Sequence, residues 1–142
     1  MLLMYIDTSA LVPYYSPEPL STTAQRFLTG QTQPAISDLV EVELFSALAR
    51  KVRATQLRRA DAQRIQATFR AHLDGGVYVR IPLEHRHFVI ARDWLATFHP
   101  PLAARDSLHL AIAAALPCPI VTTDAALARA ARSLGVATRV LR

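Results

Sequence analysis

Five carboxylates stand where a folded chain could bring them to one place. Asp7 follows the apolar run Leu2 to Ile6, and Asp124 follows Pro119 to Thr122 by way of Thr123. Asp106 precedes a stretch, Leu108 to Leu116, whose polar side chain is His109, and Glu43, or Glu41 in its place, lies in the segment after Ser37. Each has a structural alternative. Asp7 and Asp124 suit helix N-caps, because a carboxylate there accepts backbone N–H bonds. Asp106 would be stabilised by a helix N-terminus with or without a ligand, and Glu43 could face solvent. Taken together they imply different chemistry. Carboxylates crowded into one cleft repel, and some must take up protons unless a cation compensates them. A divalent ion supplies that charge, and with oxygen donors only, Mg2+ or its close substitute Mn2+ fits better than zinc. Such an ion can activate water and stabilise the entering and leaving oxygens of a phosphodiester, so cleavage needs no serine or cysteine nucleophile.

Positioning these residues takes elements whose ends meet. Leu2 to Ile6 lacks polar alternation, as a strand covered on both faces does. Pro34 to Ser37, Val77 to Ile81, Pro119 to Thr122 and Val136 to Leu141 are the other expected strands. Helices are expected over about Leu20 to Leu28, and from Asp38 to about Arg53, where Val40, Leu44, Ala47 and Leu48 keep helical spacing. A further helix from about Arg59 to Leu73 puts Ala62, Ile65, Phe69 and Leu73 on one stripe, with Gly75-Gly76 as its stop. Pro82 and Glu84 open the next, with Phe88, Ala91, Leu95 and Phe98 as its stripe before Pro100-Pro101. The last two run from about Ala103 to Leu116 and from Asp124 to Leu134, closed by Gly135. This alternation predicts a three-layer, Rossmann-like α/β fold with a central parallel sheet of about five strands flanked by helices. In such sheets ligands bind beyond the carboxyl ends of the strands, where Asp7 and Asp124 stand.

Composition bounds the rest. The 142 residues suit one compact domain over 1–142. The longest apolar stretch, Leu110 to Val121, is broken by Pro117 and Pro119 and is too short to span a bilayer. No basic leader precedes Asp7, so a signal peptide is not expected and the cytoplasm is. Cys118 stands alone, and no His or Cys cluster has zinc-finger spacing. Sixteen Lys and Arg against eleven Asp and Glu give a net charge of +5, which favours polyanionic partners. Nearly all the cations are arginine, suited to bidentate phosphate contact, although a GC-rich genome would encode the same bias. Arg50, Lys51, Arg53, Arg58, Arg59, Arg64 and Arg70 could form a rim that guides phosphates past the acids, or a solvated outer helical face. Tyr14 and Tyr15 could stack on unpaired bases or pack in the core. His85 and His87, two apart on a helix, point to different faces and do not read as a metal pair.

Four strings carry a resemblance: Tyr-Ile-Asp-Thr-Ser-Ala-Leu at 5–11, Ile-Ser-Asp-Leu-Val-Glu-Val-Glu-Leu at 36–44, Ala-Arg-Asp-Ser-Leu-His-Leu-Ala at 104–111, and Ile-Val-Thr-Thr-Asp-Ala-Ala-Leu at 120–127. In this order, in a chain of this length, they resemble a PIN domain of the VapC toxin type along essentially the whole chain. The resemblance implies a Mg2+- or Mn2+-dependent endoribonuclease, the toxin half of a type II toxin-antitoxin pair. It also implies a homodimer and a VapB-like antitoxin whose segment fills the substrate groove. The family's acids map onto Asp7, Glu43, Asp106 and Asp124, with Asp7 and Asp106 as direct metal ligands. Glu43 is favoured over Glu41 by its distance from the strand-end serine, and Asp38 is then an N-cap. Ser9 and Thr122 become hydroxyls that orient carboxylates or metal waters, and His109 is packing near the site. Leu57 and Trp94 are interface candidates, although such residues more often belong to the core.

Other acidic α/β families fit poorly. A haloacid-dehalogenase-like phosphatase would place a second aspartate where Ser9 stands, and a receiver domain would place its phosphoacceptor after the third strand, at Pro82-Leu83-Glu84. The alternative from a different class is a catalytically inactive PIN-like module that binds RNA or an antitoxin. Loss of Asp7 or Asp106 would be its sign, and both are present.

Overall fold

The computed structural model describes residues 3–142; Leu2, placed in the first strand by its apolarity, lies outside the described residues. Five strands, β1 (Met4–Ile6), β2 (Pro34–Ser37), β3 (Val79–Ile81), β4 (Ile120–Thr122) and β5 (Thr138–Val140), form one sheet in the order β3-β2-β1-β4-β5, parallel throughout. The expected α/β architecture is therefore the observed one. Every residue of β1, β2 and β4 is buried, whereas the edge strands β3 and β5 are partly exposed. Apolar runs without alternation are what two-sided coverage requires.

Seven helices among the described residues connect the strands: α1 (Thr8–Tyr15), α2 (Ser21–Thr29), α3 (Asp38–Arg53), α4 (Arg59–Asp74), α5 (His85–Leu95), α6 (Ala104–Ala115) and α7 (Ala125–Ser133). Parallel strands take right-handed crossovers. The chain moves one way along the sheet from β1 to β3, then returns past β1 to β4 and β5, so its helices divide between the two faces. Contacts of α1 with α2 and α3, of α3 with α4, and of α5 with α6 follow that division. The strand order reverses between β1 and β4, the place where such sheets open a crevice. Asp7 stands immediately beyond the first of these strands, and Asp124 beyond the second after Thr123.

Helix α6 is deeply set, with Ser107 and His109 through Ala113 buried. Burial of Leu110 and Ile112 contributes about 1.5–3 kcal/mol for each side chain. The same depth carries His109 into the interior, so a polar ring there must find partners.

The helix α1 is absent from the sequence-based expectation, because eight residues containing Pro13 carry little helical signal. Pro13 has no N–H for the carbonyl of Ser9, and the Thr123 hydroxyl donates to that carbonyl instead at 3.1 Å. The bond lost inside α1 thus becomes a tie to the turn after β4. Helix α5 also differs from expectation. It ends at Leu95, Phe98 takes a left-handed backbone at φ 63°, and the buried side chains are His87 and Ala91. Phe88 is 48% exposed and Phe98 90% exposed, so the predicted stripe is rotated and cut short. Leu57 and Trp94 are partly buried and pack against the core. No helix among the described residues is long and apolar enough to cross a membrane.

Candidate active site

Beyond the ends of β1 and β4, a cleft of about 410 Å3 is lined by Asp7, Glu43, Asp106 and Asp124. All four sequence-predicted acids line it. Glu41 does not; its carboxylate takes two bonds from Arg80, at 3.0 and 2.8 Å, beside β3. A step of two helical positions decides this, since residues two apart on a helix face different ways.

Asp7 occupies the N-cap position of α1, but its side chain makes no capping bond. Its Oδ2 instead accepts from the hydroxyls of Ser9 at 2.6 Å and Thr122 at 2.9 Å. Those hydroxyls are oriented in turn, because Ser9 Oγ accepts the Thr123 N–H at 3.0 Å and Thr122 Oγ1 accepts the Asp124 N–H at 3.0 Å. The two hydroxyls therefore orient a carboxylate, as the resemblance implies for them. Asp124 does cap: its Oδ1 accepts the N–H groups of Ala126 at 2.9 Å and Leu127 at 3.2 Å, opening α7. The N-cap alternative thus describes Asp124 and fails for the Asp7 side chain. It also fails for Asp38, since Ser37 caps α3 through Val40 N–H, and Asp38 Oδ2 accepts from Leu83 N–H at 3.1 Å.

Glu43 Oε1 accepts from the Thr8 hydroxyl at 2.7 Å and lies 2.5 Å from His109 Nε2. Burial pushes this carboxyl up, but the hydrogen bonds from His109 and the Thr8 hydroxyl and the nearby Arg105 charge outweigh it, leaving Glu43 below the usual carboxylate range. Asp106 shifts the other way. Burial raises it, Asp7 and Asp124 add repulsion, and the Arg105 charge only partly opposes them. The expected crowding of negative charge is thus felt at Asp106.

His109 is more than packing, since both of its ring nitrogens are hydrogen-bonded, Nδ1 to the Tyr5 hydroxyl at 2.7 Å and Nε2 to Glu43. Thr8, Arg105 and Tyr5 were not singled out from the sequence. Thr8 sits inside the Asp-Thr-Ser string and Arg105 beside Asp106, and adjacency to an acid is the one signal that could have marked them.

The basic segment contributes less than its charge suggests. Of its residues, Arg50 and Lys51 line the cleft, and Lys51 is held by Glu18 at 2.5 Å and Ser16 at 3.0 Å. Arg58 and Arg64 both pair with Asp61, while Arg70 lies over the Phe45 ring at 5.1 Å. Tyr14 and Tyr15 line a separate depression of about 830 Å3. The Tyr15 hydroxyl is engaged by His72 Nδ1 at 2.6 Å and the Tyr78 hydroxyl at 2.5 Å, so Tyr15 serves packing there. His85 is exposed and His87 buried, on different faces as expected.

The cleft's anionic donors are carboxylate oxygens, the set that a hard divalent cation takes. Among the described residues no group of three or more His, Cys, Asp and Glu side chains is arranged to hold a metal ion. One oxygen each of Asp7, Glu43 and Asp124 is already committed to protein donors. Magnesium is commonly held through one or two carboxylates with waters completing its shell, so this donor set suits it.

The structure is similar to VapC20 of Mycobacterium tuberculosis, described as a sarcin-ricin loop cleaving toxin, with 16% identity, a TM-score of 0.72, and coverage of 89% of this chain and 94% of that one. It is similar also to a chain of DNA-bound VapBC from Salmonella typhimurium, at 16% identity and TM-score 0.71, covering 98% of each. FitAcB from Neisseria gonorrhoeae matches at 18% identity and TM-score 0.69, covering 96% of each. At such identities the likeness is one of fold. No curated protein sequence matches the chain. The family model described as PIN domain matches residues 4–133, which span the first acid, the last acid and every strand but β5. With that match, and with the acids standing at the strand-order reversal of a parallel sheet, the chain belongs to the PIN domain family.

Proposed function

We propose that the protein is a divalent-metal-dependent endoribonuclease, the toxin of a type II toxin-antitoxin pair. The observation that carries the reading is the convergence of Asp7, Glu43, Asp106 and Asp124 on one cleft in a PIN domain. The likeness to VapC20, a toxin that cleaves the sarcin-ricin loop, supports RNA as the substrate. The VapBC and FitAcB structures support an antitoxin partner. We place the protein in the cytoplasm and, by the same family reading, as a homodimer.

Asp7 and Asp106 would hold Mg2+, or Mn2+ in its place. When bound, such an ion supplies an activated water and charge stabilisation at the phosphodiester. Ser9 and Thr122 keep the Asp7 carboxylate oriented toward that task. Thr8 and His109 do the same for Glu43. Arg50 and Arg105, which line the cleft, offset the repulsion that a bare acidic site would exert on RNA phosphates.

The experiment is incubation of RNA with protein freed of any antitoxin. Internal cuts should form with Mg2+ or Mn2+ and be absent with EDTA. RNA left intact under every metal condition, yet still bound, would replace the nuclease with the noncatalytic binding module.

A further inference from the structure

A line of buried polar groups runs from the middle of the sheet to the cleft. Tyr5, the central residue of β1, is fully buried. Its hydroxyl lies 2.8 Å from Ser37 Oγ on β2 and 2.7 Å from His109 Nδ1 on α6. His109 is 1% exposed, with Nε2 at 2.5 Å from Glu43 Oε1 and 3.7 Å from Asp7 Oδ1. At the far end, Ser37 Oγ accepts the Val40 N–H at 3.3 Å.

The direction of the protons follows from which groups can donate. Nε2 faces carboxylate oxygens, which only accept, so it carries a proton. If Nδ1 carried one too, Tyr5 would have to accept from it and donate to Ser37. Ser37 would then receive both Tyr5 and Val40, and among the described residues no hydrogen bond takes up its own proton. In the opposite direction every proton is used: Ser37 donates to Tyr5, Tyr5 to His109 Nδ1, and His109 Nε2 to Glu43. Satisfied buried chains of this kind are rigid, and partly satisfied ones are costly. An apolar residue of similar volume at 109 would fill the core with no such requirement.

We propose that His109 is a positioning residue for Glu43 and that Tyr5 fixes its tautomer. Together with Thr8, His109 occupies Oε1, while Oε2 has no hydrogen-bond donor among the described residues. Three segments far apart in the chain, β1, β2 and α6, thus orient one carboxylate on α3. The role rests on Glu43 belonging to the nuclease site, but the tautomer itself does not.

The test starts with the 15N shifts of the His109 ring in metal-free wild-type protein. A pyrrole-type Nε2 with a pyridine-type Nδ1 is expected, and any other pattern overturns the relay. In Tyr5→Phe, which removes one oxygen from the core, the two tautomers should begin to exchange. For cleavage with Mg2+, Tyr5→Phe and His109→Leu should lower kcat by about 10–100-fold, the usual cost of losing an outer-shell partner, with KM unchanged. His109→Gln, whose amide can still donate toward Glu43, should recover most of that loss. Equal losses in the Leu and Gln variants would overturn the positioning role. A wild-type protein that cuts no RNA would sink the nuclease reading, while the ring shifts would still decide the relay.

Discussion

Glu41 and Glu43 differ by two positions and by everything around them. Glu41 is tied to Arg80 near the surface, in a pair of a kind that adds about 0–1 kcal/mol to stability. Glu43 is held in the cleft by a buried histidine and a threonine. Glu43→Gln is therefore expected to lower RNA cleavage by about tenfold or more, a barrier increase of about 1.4 kcal/mol or more. Glu41→Gln should leave cleavage unchanged. Initial rates of the two purified variants decide it, and equal loss in both would show that the cleft is misassigned. Asp7, Asp106 and Asp124 were legible because they follow strands or open a buried helix, places where a charge asks for a reason, whereas Glu43 was told from Glu41 only through the family resemblance. Tyr5, Ser37 and His109 were not, since their bonds join residues 32 and 104 positions apart, and nothing local distinguishes a buried tyrosine that packs from one that relays.

At the scale of elements, several side chains serve two ends, and substitutions can separate them. Asp124 both caps α7 and lines the cleft. Asp124→Asn retains a good capping residue and loses the charge, so it should keep the melting temperature and lose cleavage. Asp124→Ala should lose cleavage and also about 0.5–2 kcal/mol of stability. Identical melting temperatures for the Asn and Ala variants would contradict the capping role. Helix α5 offers a pH test away from the acids. Its buried His87 accepts the Glu84 N–H at Nδ1, while Nε2 has no partner among the described residues. Burial, with the charge of Arg86 adding to it, holds this imidazole below its ordinary value. The unfolded chain therefore takes up the proton first. Stability is complete above about pH 6.5, the unfolded value, and falls as pH drops below it toward the folded one. In denaturant titrations between about pH 7.5 and 5.5, His87→Gln, which can still cap, should lose less stability than wild type; parallel curves would refute this. The remaining elements were largely legible, since α3 and β2 match their expected bounds. Helix α1 was hidden by Pro13, whose missing bond is made good by Thr123 from the other end of the chain. The α5 stripe misled because Phe88 and Phe98 have the right spacing and stay exposed, while a histidine takes the core position.

Across the whole molecule, charge is separated. Five of the eleven acids, Glu18 beside the four at the strand ends and helices, line one cleft, so the surface outside it is more basic than the net +5 suggests. Some of the cations are internally engaged, Lys51 with Glu18 at the cleft and, outside it, Arg58 and Arg64 with Asp61 and Arg80 with Glu41. Arg50 and Arg105 line the cleft and make no ion pair among the described residues, which makes them the cations best placed for phosphate. If each neutralises one phosphate, Arg50→Ala or Arg105→Ala should flatten the dependence of log K on log salt for single-stranded RNA by about 0.7. A weaker affinity with an unchanged slope would assign the contact elsewhere.

These scales meet at Asp7, buried at the end of the central strand, oriented by two hydroxyls and expected to hold the metal. An amide there can still accept from Ser9 and Thr122 through its carbonyl oxygen, so Asp7→Asn should fold with a melting temperature close to wild type. Single-turnover cleavage of one RNA by wild type and Asp7→Asn, both free of antitoxin and both with saturating Mg2+, is the most direct measurement. A loss of about 100-fold or more, equivalent to about 2.7 kcal/mol, is the predicted result, and a folded variant that cuts at the wild-type rate would contradict the account.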